Sequence, residues 1–156
     1  QERVGSAWIP TLEAAAAGIA AADFGARGFA LMGISAARMH HVTPRAVGVA
    51  VVAAPRRRKT IELTDRRAAV RFLVRDLEVM DLELMETDLG RCLVTTPEQT
   101  LLDLSHRAGQ RGLTEDVAAA MRALAPLCDP EELAVIAGRQ RLGRALGRLR
   151  REGLVP

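Results

Sequence analysis

The sequence predicts an α+β domain: short N-terminal helices, a central antiparallel or mixed sheet of about four to five strands, and a helical C-terminal tail. Three observations lead there. Residues Ala46 to Ala54, AVGVAVVAA, are a nearly unbroken run of small and β-branched side chains, the composition of a buried central strand. Shorter alternating segments follow it with brief connections, which favours antiparallel or mixed pairing over a doubly wound sheet. From Thr96 onward each apolar-periodic segment opens on a helix-start signal.

Taken in order, Thr11 is placed to cap a first helix over Leu12 to Ala22, stopped by the Asp23 to Gly28 stretch with its two glycines. Phe29 to Met32 reads as a strand or as the start of the next helix. Gly33 interrupts it, Ser35 is placed to cap a short helix through His41, and Pro44 ends that unit. In the central strand, Val49 and Val51 are expected on the more buried face. Thr60 to Leu63 and Ala69 to Arg75 alternate; in the second, Val70, Phe72 and Val74 lie on one side and Arg71 and Arg75 on the other. Leu77 to Met85 alternates imperfectly, with a bulge or turn near Met80 to Leu82. Thr87 to Gly90 turns the chain into a strand over Arg91 to Thr95.

The helix that follows is written out at its start. Thr96 is the N-cap and Pro97 the first helical residue, and Gln99 falls where its side chain can close a capping box. Leu101, Leu102 and Leu104 supply an apolar face, and Asp103 can pair with Arg107 one turn later. Thr114 caps a helix to about Ala125 with Glu115 and Asp116 in its first turn, where the macrodipole favours acids. Pro126 stops it, and Asp129-Pro130 opens a last helix running to the end of the chain.

The chain is 156 residues and 49% hydrophobic, long enough to bury a core, and no run of 18 apolar residues suggests a membrane span. Cys92 and Cys128 lack metal-ligand spacing and read as reduced, buried thiols of a cytoplasmic protein. The net charge of +3 conceals an uneven distribution: residues 1–60 carry eight basic and three acidic groups, 61–105 five and ten, and 106–156 nine and six. Two basic clusters are therefore candidate nucleic-acid or partner surfaces. One is the loop Arg56-Arg57-Arg58-Lys59. The other is Arg141, Arg144, Arg148 and Arg151, opposite Leu142, Ala145, Leu146 and Leu149 on the last helix. Glu78, Asp81, Glu83, Glu86 and Asp88 form an acidic middle, either the outer side of a sheet or a surface for a basic partner.

Catalytic chemistry finds little support. Asp81 and Glu83 could be nuclease carboxylates, but Lys59, the sole lysine, is remote in sequence. His40 and His41 are adjacent, so on a helix they point about 100° apart and cannot readily share a metal. Gly28 and Gly33 do not complete a phosphate loop, and Ser35 and Ser105 have no triad setting. The residues designate no catalytic, cofactor or metal site.

The string TTPEQTLLDL, Thr95 to Leu104, resembles the S/T-x-P-E-x-T-L-L-D signature of the C-terminal domain of AbiEi-family antitoxins. Upstream, Phe29 to Arg58 resembles a second family stretch through Ser35-Ala36-Ala37, Met39-His40-His41, Pro44-Arg45 and the strand Val47 to Ala54. His41 departs from it, since the family often has Gly there. The resemblance covers roughly residues 3 to 108. It implies a non-enzymatic antitoxin and autoregulator of a type IV-like toxin–antitoxin operon, opposing a nucleotidyltransferase-type toxin. It also implies operator DNA binding through an N-terminal winged helix-turn-helix. The chain opens on Gln1, and RVGSAWIP, Arg3 to Pro10, reads as the last strand of such a wing or its linker. The expected division is 1–10 as wing remnant or linker, 11–108 as the antitoxin unit and 109–156 as a helical extension. The alternative is a degenerate nuclease-like or scaffold domain without a toxin partner.

Overall fold

The structure, a computed structural model, describes residues 9–43 and 48–156. The expected wing or linker strand therefore falls almost wholly outside the described residues, as do Pro44, Arg45, Ala46 and Val47. The elements run α1 (Leu12–Phe24), β1 (Ala30–Leu31), α2 (Gly33–Met39), β2 (Val49–Ala54), β3 (Ile61–Glu62), β4 (Ala69–Val74), β5 (Leu82–Thr87), β6 (Gly90–Thr95), α3 (Pro97–Arg111), α4 (Glu115–Leu124), α5 (Pro130–Gln140) and α6 (Gly143–Arg151). This is the expected α+β class, with a mixed sheet of six strands, slightly more than the four to five anticipated.

The sheet order is β3-β4-β2-β1-β6-β5. β2 runs parallel to β4 and β1 parallel to β6, while the remaining pairs are antiparallel. β5 and β6 form a hairpin whose two-residue tip is Asp88-Leu89. Gly90 takes φ 119° there, a conformation an L side chain rarely adopts, and the Thr87 hydroxyl donates to its carbonyl at 2.8 Å. The imperfect alternation of Leu77 to Met85 is explained by this geometry: residues 77–79 are a turn and the strand begins only at Leu82.

The two faces of the central strand differ. On one, the alanine-rich α1 lies close on the sheet, because Ala16 and Ala20 bring no bulk against Ala50, Val52 and Val70. Thr11 caps this helix, its hydroxyl accepting from Ala14 N at 3.1 Å. α3, α4, α5 and α6 build a separate helical core around Leu101, Leu102, Leu104, Met121, Ile136 and Leu149, with Ala37 of α2 reaching into it. The buried side of β2 corrects the sequence expectation. Ala50 and Val52 are fully covered by α1, whereas Val49 and Val51 point to the opposite side, where a cleft opens beneath the helices.

Ser35 also differs from expectation. α2 begins at Gly33 with Met32 as its N-cap and no side-chain cap. Ser35 is inside the helix, fully buried, and its hydroxyl accepts from Val51 N at 2.8 Å. β1 is too short to supply that acceptor from its backbone, so a side chain does. His41 ends the α2 unit at φ 61°, with Val42 N donating to Ala37 O at 3.1 Å. Glycine occupies such left-handed positions without steric cost, which accounts for the residue expected there from the family pattern.

α3 starts as anticipated, with Thr96 accepting from Gln99 N at 3.3 Å and Pro97 at the first position. The reciprocal half of the capping box is absent. Thr96 N donates to Asp81 O at 3.1 Å, because the β5–β6 hairpin brings that carbonyl alongside, and this frees the Gln99 side chain to turn inward. Thr114 and Asp129 cap α4 and α5 as expected. The expected single last helix is broken. Arg141 adopts φ 57°, Leu142 N donates to Ala137 O at 2.8 Å, and α6 starts anew at Gly143. The break folds α6 back onto α3 and buries Leu142, Ala145, Leu146 and Leu149. The Ser105 hydroxyl secures the contact by donating to Ala145 O at 2.8 Å.

Candidate functional site: an arginine-lined cleft

Alternation along β4 places Arg71 and Leu73 on the face away from α1, and Arg75 follows directly after the strand. Val51 pairs with Arg71 in register and joins this floor with Val49. On α3, Asp103, Arg107 and Arg111 are successive i, i+4 positions and form one stripe facing the floor. Thr114 and Val117 of α4, with Arg141 at the end of α5, complete a cleft of about 750 Å³.

One end of this cleft is a hydrogen-bonded hub. Arg75 Nη1 donates to Asp103 Oδ1 at 3.2 Å and its Nη2 to Gln140 Oε1 at 3.2 Å. Gln99 Nε2 donates to Asp103 Oδ1 at 3.1 Å, and the Gln99 and Gln140 amides bond reciprocally at 2.9 and 2.6 Å. Gln99 Oε1 accepts from Asp81 N at 2.9 Å, and Gln140 Nε2 donates to Val79 O at 2.9 Å. Four elements of the fold are thereby tied together. The Asp103–Arg107 pair expected from sequence is not made, since Asp103 turns to Arg75 across the core. Burial pushes the Asp103 carboxyl above the ordinary carboxylate range, opposed by the Arg75 charge and the Gln99 hydrogen bond. Its Oδ2 is buried and without a hydrogen-bond partner among the described residues.

The other end of the cleft is cationic. Burial holds the Arg107 guanidinium below its ordinary range, and the like charges of Arg71 and Arg111 push the same way. Arg107 and Arg111 had no place among the sequence-derived surfaces. The alternation of Arg71 and Arg75 and the α3 spacing were visible, but nothing in the sequence set one against the other.

The loop Arg56 to Lys59 is largely structural on its inner side. Arg56 Nη2 donates to Asp23 O at 3.1 Å and its guanidinium lies 4.6 Å from the Phe24 ring centroid. Arg58 pairs with the Asp23 carboxylate and sits 5.4 Å over the Phe72 ring. α1 has no basic residue in its last turn, and these two arginines supply the positive charge its C-terminus favours. Arg57 and Lys59 remain exposed. The second cluster is not one stripe. Arg141 belongs to the end of α5 and the rim of the cleft, Arg144 and Arg151 are exposed on α6, and Arg148 lies half-buried across Gly109 of α3.

The acidic middle is mixed in the same way. Asp81 accepts from the Thr96 hydroxyl at 2.7 Å and Asp88 accepts from Thr11 N at 3.0 Å, whereas Glu78 and Glu86 are exposed. His40 is partly buried and its Nε2–H donates to Thr95 O at 2.8 Å. Both cysteines are free thiols. Burial pushes Cys92 up to about 11 and, with the nearby Glu98 charge, Cys128 up to about 12.

Residues 29–151 match the sequence model of the AbiEi antitoxin C-terminal domain, most of the chain's length. The chain belongs to that family. Comparison with curated proteins found no match. Among solved structures, this antitoxin domain is similar to an antigenic nucleotidyltransferase-like protein from Paracoccidioides brasiliensis. The TM-score is 0.60 at 10% identity, covering 92% of this chain and 91% of the other, which establishes likeness of fold alone. The family match takes in both motif stretches and continues through α4, α5 and the whole of α6. Among the described residues no helix is long and apolar enough to cross a membrane.

Proposed function

We propose that this AbiEi domain is the antitoxin and autoregulatory part of a type IV-like toxin–antitoxin operon and opposes a nucleotidyltransferase-type toxin in the cytoplasm without catalysing a reaction. The family match over residues 29–151 carries this reading. Operator DNA contact is assigned to a winged helix-turn-helix N-terminal to the domain, with residues 1–10 as its last strand or linker. Residues 11–108 would be the antitoxin unit and 109–156 its helical extension. The test is co-expression of this chain with the cognate toxin. Growth should be rescued at least in part; a soluble, folded chain that gives no rescue would move the activity outside it and favour a scaffold role.

Among the sequence-derived basic residues, Arg144 and Arg151 on α6 and Arg57 and Lys59 in the loop face water away from the cleft. On this chain they should give weak duplex binding without sequence preference. Reversing Arg144 and Arg151 to Glu should lower the slope of log K against log salt by about 0.9 for each phosphate no longer neutralised, with melting unchanged. Affinities measured at several salt concentrations decide this. An unaltered slope makes them solvated side chains, and tight operator binding by the chain alone overturns the assignment of DNA reading to the N-terminal region.

A further inference from the structure

The positive end of the cleft is not balanced from within the described fold. The guanidinium groups of Arg71, Arg107 and Arg111 make no hydrogen bond or ion pair among the described residues. Two carboxylates line the same cleft, but Asp103 is committed to Arg75 through Oδ1 and Asp116 is likewise not free. Arg107 is partly buried, so its repulsion from the other two is weakly screened. Three guanidinium-bearing side chains lining one concave space raise the local potential and favour an anion there. Planar guanidinium forks match phosphate oxygens two at a time, which is the usual employment of such a group.

The rest of the cleft narrows the ligand. Its floor is apolar, made by Val49, Val51 and Leu73, and Val117 faces them. The volume, about 750 Å³, lies in the range of small-molecule sites. Asp103 and Arg111 are two helical turns apart, roughly 12 Å along the axis. A bare phosphate would leave the floor uncovered, and a duplex is too wide to enter. We propose that the cleft binds a small phosphorylated organic anion of nucleotide size, its phosphate groups held by Arg71, Arg107 and Arg111 and its uncharged part lying on Val49, Val51 and Leu73. The site stands independently of toxin neutralisation, and the rescue assay neither supports nor weakens it.

Calorimetric titration of the whole chain with ATP, GTP, CTP and UTP in turn, with inorganic pyrophosphate and with adenosine tests it. At least one nucleotide should bind saturably in the micromolar range, pyrophosphate about tenfold or more weaker, and adenosine not measurably. Arg107→Gln and Arg111→Gln should each weaken the nucleotide about tenfold, while Arg57→Gln, outside the cleft, leaves it unchanged. Without ligand, Arg107→Gln should melt no lower than the parent, because it relieves repulsion. Arg111 is exposed, so Arg111→Gln keeps the test open if the other variant fails to fold. No saturable nucleotide binding, pyrophosphate binding as tightly as any nucleotide, or affinities indifferent to both variants overturns the proposal. Single-stranded RNA bound through these arginines while nucleotides are not would overturn it in favour of nucleic acid.

Discussion

Arg75→Ala should destabilise the domain by about 3 kcal/mol at neutral pH, lowering the melting temperature by roughly 6–12 °C for a chain of this size. The reason is the carboxylate it abandons. Asp103 is 7% exposed and Arg75 is its only ion-pair partner among the described residues, so removal of the guanidinium leaves a buried charge held by one Gln99 hydrogen bond. Gln140 also loses a donor, which loosens the link between α5 and the sheet edge. The pH dependence follows from the direction of the Asp103 shift. Its folded-state pKa lies above the ordinary value, so its contribution to stability is fully present below the unfolded pKa and is lost as pH rises through the folded one. Arg75 pulls that folded value down; without it the value climbs further. The penalty of Arg75→Ala should therefore shrink on acidification from about pH 7 to about pH 5. Adding Asp103→Asn should recover much of the loss, because the uncharged amide keeps the shape. Urea denaturation at both pH values measures this, and an equal penalty at each would sink the account.

Val52→Asp should cost about 3 kcal/mol or more and lower the melting temperature by roughly 10 °C, or prevent folding altogether. Val52 is fully buried between Phe72 of β4 and Leu31 of β1, under the alanine face of α1. Val51→Asp should cost clearly less. Its side chain borders the cleft, and Arg71 is its register partner, so the new charge is partly hydrated and electrostatically favoured. A thermal melt of both variants ranks them. Equal losses, or a greater loss for Val51→Asp, would contradict the face assignment of β2.

Those two neighbours show where the sequence was legible and where it was not. The strand itself could be read from its β-branched run. Which of its faces is the more buried could not, because both faces are apolar and the difference arises from what packs on them: close-fitting alanines on one side, an open cleft on the other. The same division holds along the chain. By itself the sequence determined the α+β class, the family motifs and the helix starts at Thr11, Thr96, Thr114 and Asp129. A cap is a contact between residues three or fewer apart and needs no partner from elsewhere. Only the tertiary structure decided the inward turn of Gln99, the choice of Arg75 over Arg107 by Asp103, the break at Arg141 and the convergence of Arg71, Arg107 and Arg111 on one cleft. Each of these joins groups distant in sequence or exchanges a local hydrogen bond for a buried one, and local pattern carries no information about which element will lie opposite.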